Sequence, residues 1–84
     1  MAHRVTGKVE RLYVTAGNCY IRLQGIADLP LDRYFELRQS HQNYNALYSL
    51  ALAAAINRYD LTIRTIGEID PSRFAGVRYM VVDW

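Results

Sequence analysis

Residues 43–58, Asn-Tyr-Asn-Ala-Leu-Tyr-Ser-Leu-Ala-Leu-Ala-Ala-Ala-Ile-Asn-Arg, carry one charge, and it stands on the last residue, Arg58. The run predicts a single helix. On a helical wheel Leu47, Leu50, Ala51 and Ala54 share one apolar face, and Tyr44, Tyr48, Leu52 and Ala55 continue it. Asn45, Ala46, Ser49, Ala53, Ile56 and Asn57 fill the remaining arc. A helix facing water normally carries Glu and Lys there. Two readings are open. The helix is rich in alanine for its propensity alone, or its far side packs against a second copy or lines a pore. The second reading makes Asn45, Tyr48, Ser49, Leu52 and Ile56 an oligomer interface. Ser40 and Asn43 are the main N-cap candidates.

Three strand-like runs precede this helix and two come after it. Residues 4–14 alternate weakly, with Val5, Gly7, Val9, Arg11 and Tyr13 on one side. The run is long for one strand, and Gly7 marks a bulge or bend. Ala16-Gly17-Asn18 is a turn that makes a hairpin with the next run. There Cys19, Ile21 and Leu23 point inward, and Tyr20, Arg22 and Gln24 point outward. A loop with Pro30 runs from Gly25 to Asp32. Residues 33–38 form a short strand with Phe35 and Leu37 on one face and Tyr34, Glu36 and Arg38 on the other. After the helix, Leu61, Ile63 and Thr65 alternate with Thr62, Arg64 and Ile66. A loop with Asp70-Pro71-Ser72 leads to a last strand over 77–84. The order is β-β-β-α-β-β. It predicts a mainly β fold with one helix, namely a five-stranded OB-fold barrel with its helix between the third and fourth strands.

At 84 residues the chain is a single domain, 1–84, with a small core that association would support. The ten basic residues, nine Arg and Lys8, are spread along the chain, and the net charge is only +2. A dedicated nucleic-acid binder shows a basic stripe. Dispersed Arg with seven Tyr suits protein interfaces. Cys19 is the sole cysteine, so neither an intrachain disulfide nor a cysteine metal motif forms. A lone thiol and the absence of an apolar stretch in residues 1–5 point to the cytoplasm. A secreted chain whose leader had been removed would read the same. No apolar run suffices to insert into a membrane.

Enzyme chemistry finds little footing. His3 and His41 lack metal-ligand spacing, Ser40 and Ser49 sit in no nucleophile elbow, and no glycine-rich phosphate loop is present. Asp32 and Glu36 read as surface ion-pairing groups, and Cys19 reads as a small core residue. We expect no catalytic residue, metal or cofactor. Tyr20, Arg22, Tyr34 and Arg38 offer an alternative, a face on which single-stranded nucleic acid would stack, although Glu36 would stand in its middle.

The helix and the strand after it resemble those of bacterial toxin B subunits of the pertussis and subtilase-cytotoxin type. The similarity is carried by Leu47-Tyr48, Ala51-Leu52 and Leu61-Thr62-Ile63, by Thr6-Gly7 with Lys8-Val9 upstream, and by the strand from Tyr20 to Gly25. The resemblance implies an OB fold, a homopentamer with helices around a central pore, a partner A-type chain, and glycan binding through the hydroxyl at Thr6. The family's subunits are exported and disulfide-bonded, whereas this chain has one cysteine. The family's aromatic sugar partner falls near Thr65, where no ring stands, and the loop joining the last two strands is short.

Overall fold

The first apolar run does not continue as one strand. In the computed structural model, which describes residues 4–24, 34–67 and 74–84, it divides at Lys8 into β1 (Arg4–Gly7) and β2 (Val9–Thr15). The strands expected as five are therefore six. The others are β3 (Asn18–Leu23), β4 (Phe35–Leu37), β5 (Asp60–Thr65) and β6 (Ala75–Asp83), with helix α1 (Tyr44–Asn57) between β4 and β5. The division is tied to a close approach. A Cβ on Gly7 would lie 2.8 Å from the carbonyl oxygen of Gln24, so β1 ends against the chain leaving β3 only because residue 7 has no side chain. The Gln24 N–H donates to the Lys8 carbonyl at 2.8 Å and pins the same corner.

A bulge comes immediately after. Val9 pairs with Leu23 and Arg11 with Arg22, so Glu10 is the extra residue on β2. The expected bulge or bend at Gly7 is thus resolved into a strand break at Lys8 and a bulge at Glu10. Beyond the bulge the facing is reversed: Val9 is buried, while Arg11 and Tyr13 are exposed and Leu12 turns towards the core. At the far end of β2, Thr15 pairs with Asn18 across a two-residue turn. Both turn residues, Ala16 (φ 52°) and Gly17 (φ 82°), have the positive φ that tight hairpins demand.

The strands run in the order β1-β5-β6-β4-β3-β2. Only β4 and β6 are parallel; the remaining neighbours are antiparallel. The sheet is open in its ladders, with β1 and β2 at its two ends and none joining them among the described residues. A second bulge, at Arg78, keeps both Val77 and Met80 inward on β6, which starts two residues before the expected 77.

The inner side of the sheet gathers Cys19, Ile21, Leu23, Phe35, Leu37, Leu61, Ile63, Val77 and Met80, and α1 closes over it with Leu47, Ala51 and Ala54. Two alanines at the contact let the helix backbone sit close to the strands. Asn43 occupies the N-cap without a side-chain capping bond. Arg58 ends the helix in the left-handed conformation (φ 60°), and the Tyr59 N–H returns to the Ala54 carbonyl at 3.0 Å. Lys8 ties the strand break to this helix end: its Nζ donates to the Arg58 carbonyl at 2.9 Å and pairs with Asp60 at 3.0 Å. The result is a small globule of 30 × 28 × 21 Å. Among the described residues no helix is long and apolar enough to cross a membrane. The expected Pro30 loop and Asp32, the Asp70-Pro71-Ser72 turn and His3 lie outside the described residues.

Candidate functional site

Three surfaces hold the residues singled out by sequence. The first is the far side of α1. Asn45, Ser49, Leu52 and Ile56 are all exposed, with Leu52 at 37% and Ile56 at 72%. Tyr48 is half-buried against the core and lies parallel to Tyr44, their ring centres 6.3 Å apart. No acidic residue stands in the first turn of the helix and no basic one in its last turn; Lys8, reaching in from the strand break, brings a cation to its C-terminal end. Near the helix end the Trp84 ring lies 5.8 Å from Tyr59 and is 90% exposed. Leu52, Ile56 and Trp84 are thus exposed to water beside a helix that carries no charge between residues 44 and 57.

The second surface is the outer side of β2, β3 and β4, where Tyr20, Arg22, Tyr34 and Arg38 come together. Tyr20 is the hub. Its ring stacks on Tyr13 (5.1 Å, 22°) and contacts Phe74 at 5.0 Å. Tyr34 meets Tyr13 edge-on at 5.2 Å, with Phe74 at 6.5 Å. The Arg22 guanidinium lies 6.0 Å from the Tyr34 ring centre and pairs with Glu10 at 2.7 Å. Arg38 pairs with Glu36 at 2.8 Å, and the Tyr20 hydroxyl donates to the other Glu36 oxygen at 2.9 Å. The hydrogen bond from Asn18 lowers the Tyr20 pKa, but the Glu36 hydrogen bond, burial, and the charges of Glu36 and Tyr13 outweigh it and the net shift is upward. Glu36 likewise raises the Arg38 pKa by its hydrogen bond and charge.

The rings in this cluster are spent largely on one another. Tyr20 is only 9% exposed, so its face is covered before any base could stack on it. Tyr13, Phe74 and Arg11, whose Nη1 reaches the Tyr34 hydroxyl at 3.4 Å, belong to the cluster but were not among the residues picked out by sequence. The Glu10 bulge turned Tyr13 outward, against simple alternation. Phe74 is delivered by the parallel pairing of β4 with β6, Phe35 opposite Ala75, which no local pattern announces.

The third surface is the outer side of β1 and β5. The Thr6 hydroxyl lies 2.8 Å from that of Thr62, its cross-strand partner. Thr65 is buried on the core side, and its hydroxyl donates to the Gly67 carbonyl at 2.7 Å. Thr6 and Thr65 thus face opposite sides of the sheet and do not share a site.

Remaining groups have structural tasks. His41 Nδ1 accepts the Asn43 N–H at 3.0 Å, which leaves Nε2 to donate to the Arg78 carbonyl at 3.0 Å. Both ring nitrogens are therefore engaged beside the open cleft of about 430 Å³ that His41 lines with Gln39 and Tyr44 at the start of α1. Cys19 is fully buried, and burial raises its thiol pKa from 9.0 to about 11. Among the described residues no group of His, Cys, Asp or Glu is arranged to hold a metal. No family model matches the chain, and no curated protein or solved structure is significantly similar to it.

Proposed function

We propose that this chain is a non-enzymatic OB-fold module that assembles into a ring, a homopentamer of the toxin B-subunit kind, and serves as a binding or scaffold component. The observation that carries the reading is the exposed and uncharged far side of α1, with Leu52 and Ile56 at its centre. Ordered apolar groups of this kind favour a second protein surface over water. In a ring the occupant is the neighbouring copy, and Trp84 supplies a further anchor.

Strand connectivity supports the OB reading. β1 and β2 flank a single residue, Lys8, and occupy the two ends of the strand order. Counted as two halves of one bent strand, they reduce six strands to five. The bent strand itself then closes the barrel, one half pairing with β3 and the other with β5. Gly7 and the Glu10 bulge are the devices such a bend needs.

Native mass spectrometry tests the assembly. Wild type should appear as a closed oligomer, with five copies expected, and Ile56→Glu should shift it to monomer. A wild-type monomer at micromolar concentration would sink the proposal. A partner A-type chain would appear as an adjacent gene product that co-purifies with the ring. Glycan binding through Thr6 rests on the resemblance and on the residue's exposed position, while its hydroxyl already bonds Thr62 and no ring stands at Thr65. A glycan array with wild type and Thr6→Val decides it.

A second reading, binding of single-stranded nucleic acid, draws on one observation: Tyr20, Arg22, Tyr34 and Arg38 share one cluster. Against it, Glu10 and Glu36 neutralise the two arginines. This reading predicts oligonucleotide binding that weakens steeply with salt. An unchanged fluorescence anisotropy at low salt removes it.

A further inference from the structure

We propose that Arg4 and Arg64, with Tyr79 beside them, form a binding site for a small oxyanion of the carboxylate or phosphate type. The site arises from the sheet register. Arg4 stands directly opposite Arg64, and Arg64 directly opposite Tyr79, so the three form one row across β1, β5 and β6. Like charges opposite one another in a ladder repel, and proteins usually separate them or insert a carboxylate. Among the described residues neither is done. Of the described carboxylates, Glu10 pairs with Arg22, Glu36 with Arg38 and Asp60 with Lys8. Asp83 lies opposite Asp60, four residues along β5 from Arg64.

A second observation points the same way. The Arg64 Nε is buried and has no hydrogen-bond partner among the described residues. An unsatisfied donor on a cation is costly, and such groups commonly mark the place of an ion or water. Arg4 is held only weakly, its Nη2 3.5 Å from the Tyr79 hydroxyl. Two guanidinium forks match the paired oxygens of a carboxylate or phosphate. The Tyr79 hydroxyl is a further donor at one end of the row. In the adjacent row the Thr6–Thr62 hydroxyl pair extends the polar surface along the same face. An anion seated here would relieve the Arg4–Arg64 repulsion and draw the Arg64 fork into hydrogen bonding. This site does not depend on ring assembly, because none of its residues lies on α1.

The test is an NMR titration that tracks the arginine Nε–H and backbone amide signals. Sodium phosphate and sodium acetate serve as separate probes, with sodium chloride at matched ionic strength as reference. The expected result is a saturable shift of the Arg64 Nε–H and of the Arg4, Thr62 and Tyr79 amides with at least one oxyanion, beyond the chloride response. Comparison of the two probes separates a tetrahedral from a planar ligand. Arg64→Lys keeps the charge but removes the fork, and Arg4→Gln changes only an exposed residue. Each should weaken binding about tenfold or more, the scale of one charge-assisted hydrogen bond. If Arg64→Lys unfolds, Arg4→Gln alone carries the test. Shifts equal to those in chloride, or binding unchanged in the folded variants, would overturn the proposal.

Discussion

Gly7 decides where the first strand ends. Its hydrogen occupies a place where a methyl group would press on the Gln24 carbonyl at 2.8 Å, and backbone cannot step aside as a flexible side chain would. Gly7→Ala should therefore destabilise the fold by about 1–3 kcal/mol, the usual scale of overpacking, measured by urea denaturation. A loss within experimental error would mean that the corner yields. Cys19 makes a different prediction. Its pKa rises from 9.0 to about 11 because burial disfavours the thiolate. Its stabilising effect is complete below pH 9.0 and is lost as pH climbs towards about 11. Tyr44, raised by burial and then by the charges of Cys19 and Tyr48, acts in the same direction. Stability should fall on the alkaline side, and Cys19 should resist thiol reagents at pH 8 until the protein unfolds. Rapid labelling of the native protein would contradict its placement in the core.

Among the elements, α1 was the most legible in sequence. Its span over 44–57 lies within the expected 43–58, and Leu47, Ala51 and Ala54 are buried as the wheel placed them. Leu52, placed on the apolar arc, proves exposed at 37%. The alternation of β3, β4 and β5 was readable on the core side, where Cys19, Ile21 and Leu23, then Phe35 and Leu37, then Leu61, Ile63 and Thr65 are buried, but the outward Tyr20 and Thr62 are buried as well, which alternation did not announce. β2 was not, since the bulge at Glu10 breaks a two-residue period that any reading of residues 4–14 must assume. The aromatic cluster was half-legible for the same reason. Tyr20 and Tyr34 are placed by alternation, whereas Tyr13 depends on the bulge and Phe74 on a parallel pairing distant in sequence. A mutation tests the helix assignment directly. Leu47→Ala should cost about 2–5 kcal/mol, as for a buried leucine leaving a cavity. A loss well below a kilocalorie would place the wrong face of α1 against the sheet.

At the scale of the whole molecule, the fold buries one part of the chain's apolar residues and leaves another exposed. The inner sheet and the near face of α1 make a continuous core, which accounts for the apolar strands. The far face of α1 accounts for nothing within the monomer, although it carries Leu52 and Ile56 in water. In the proposed ring that face is buried against the neighbouring copy. Sedimentation equilibrium across a range of concentrations, on wild type and on Ile56→Glu, tests this most directly. The account predicts a wild-type mass near five times 9.7 kDa and a folded monomer for the variant. A wild-type protein that stays at 9.7 kDa at every concentration would contradict it.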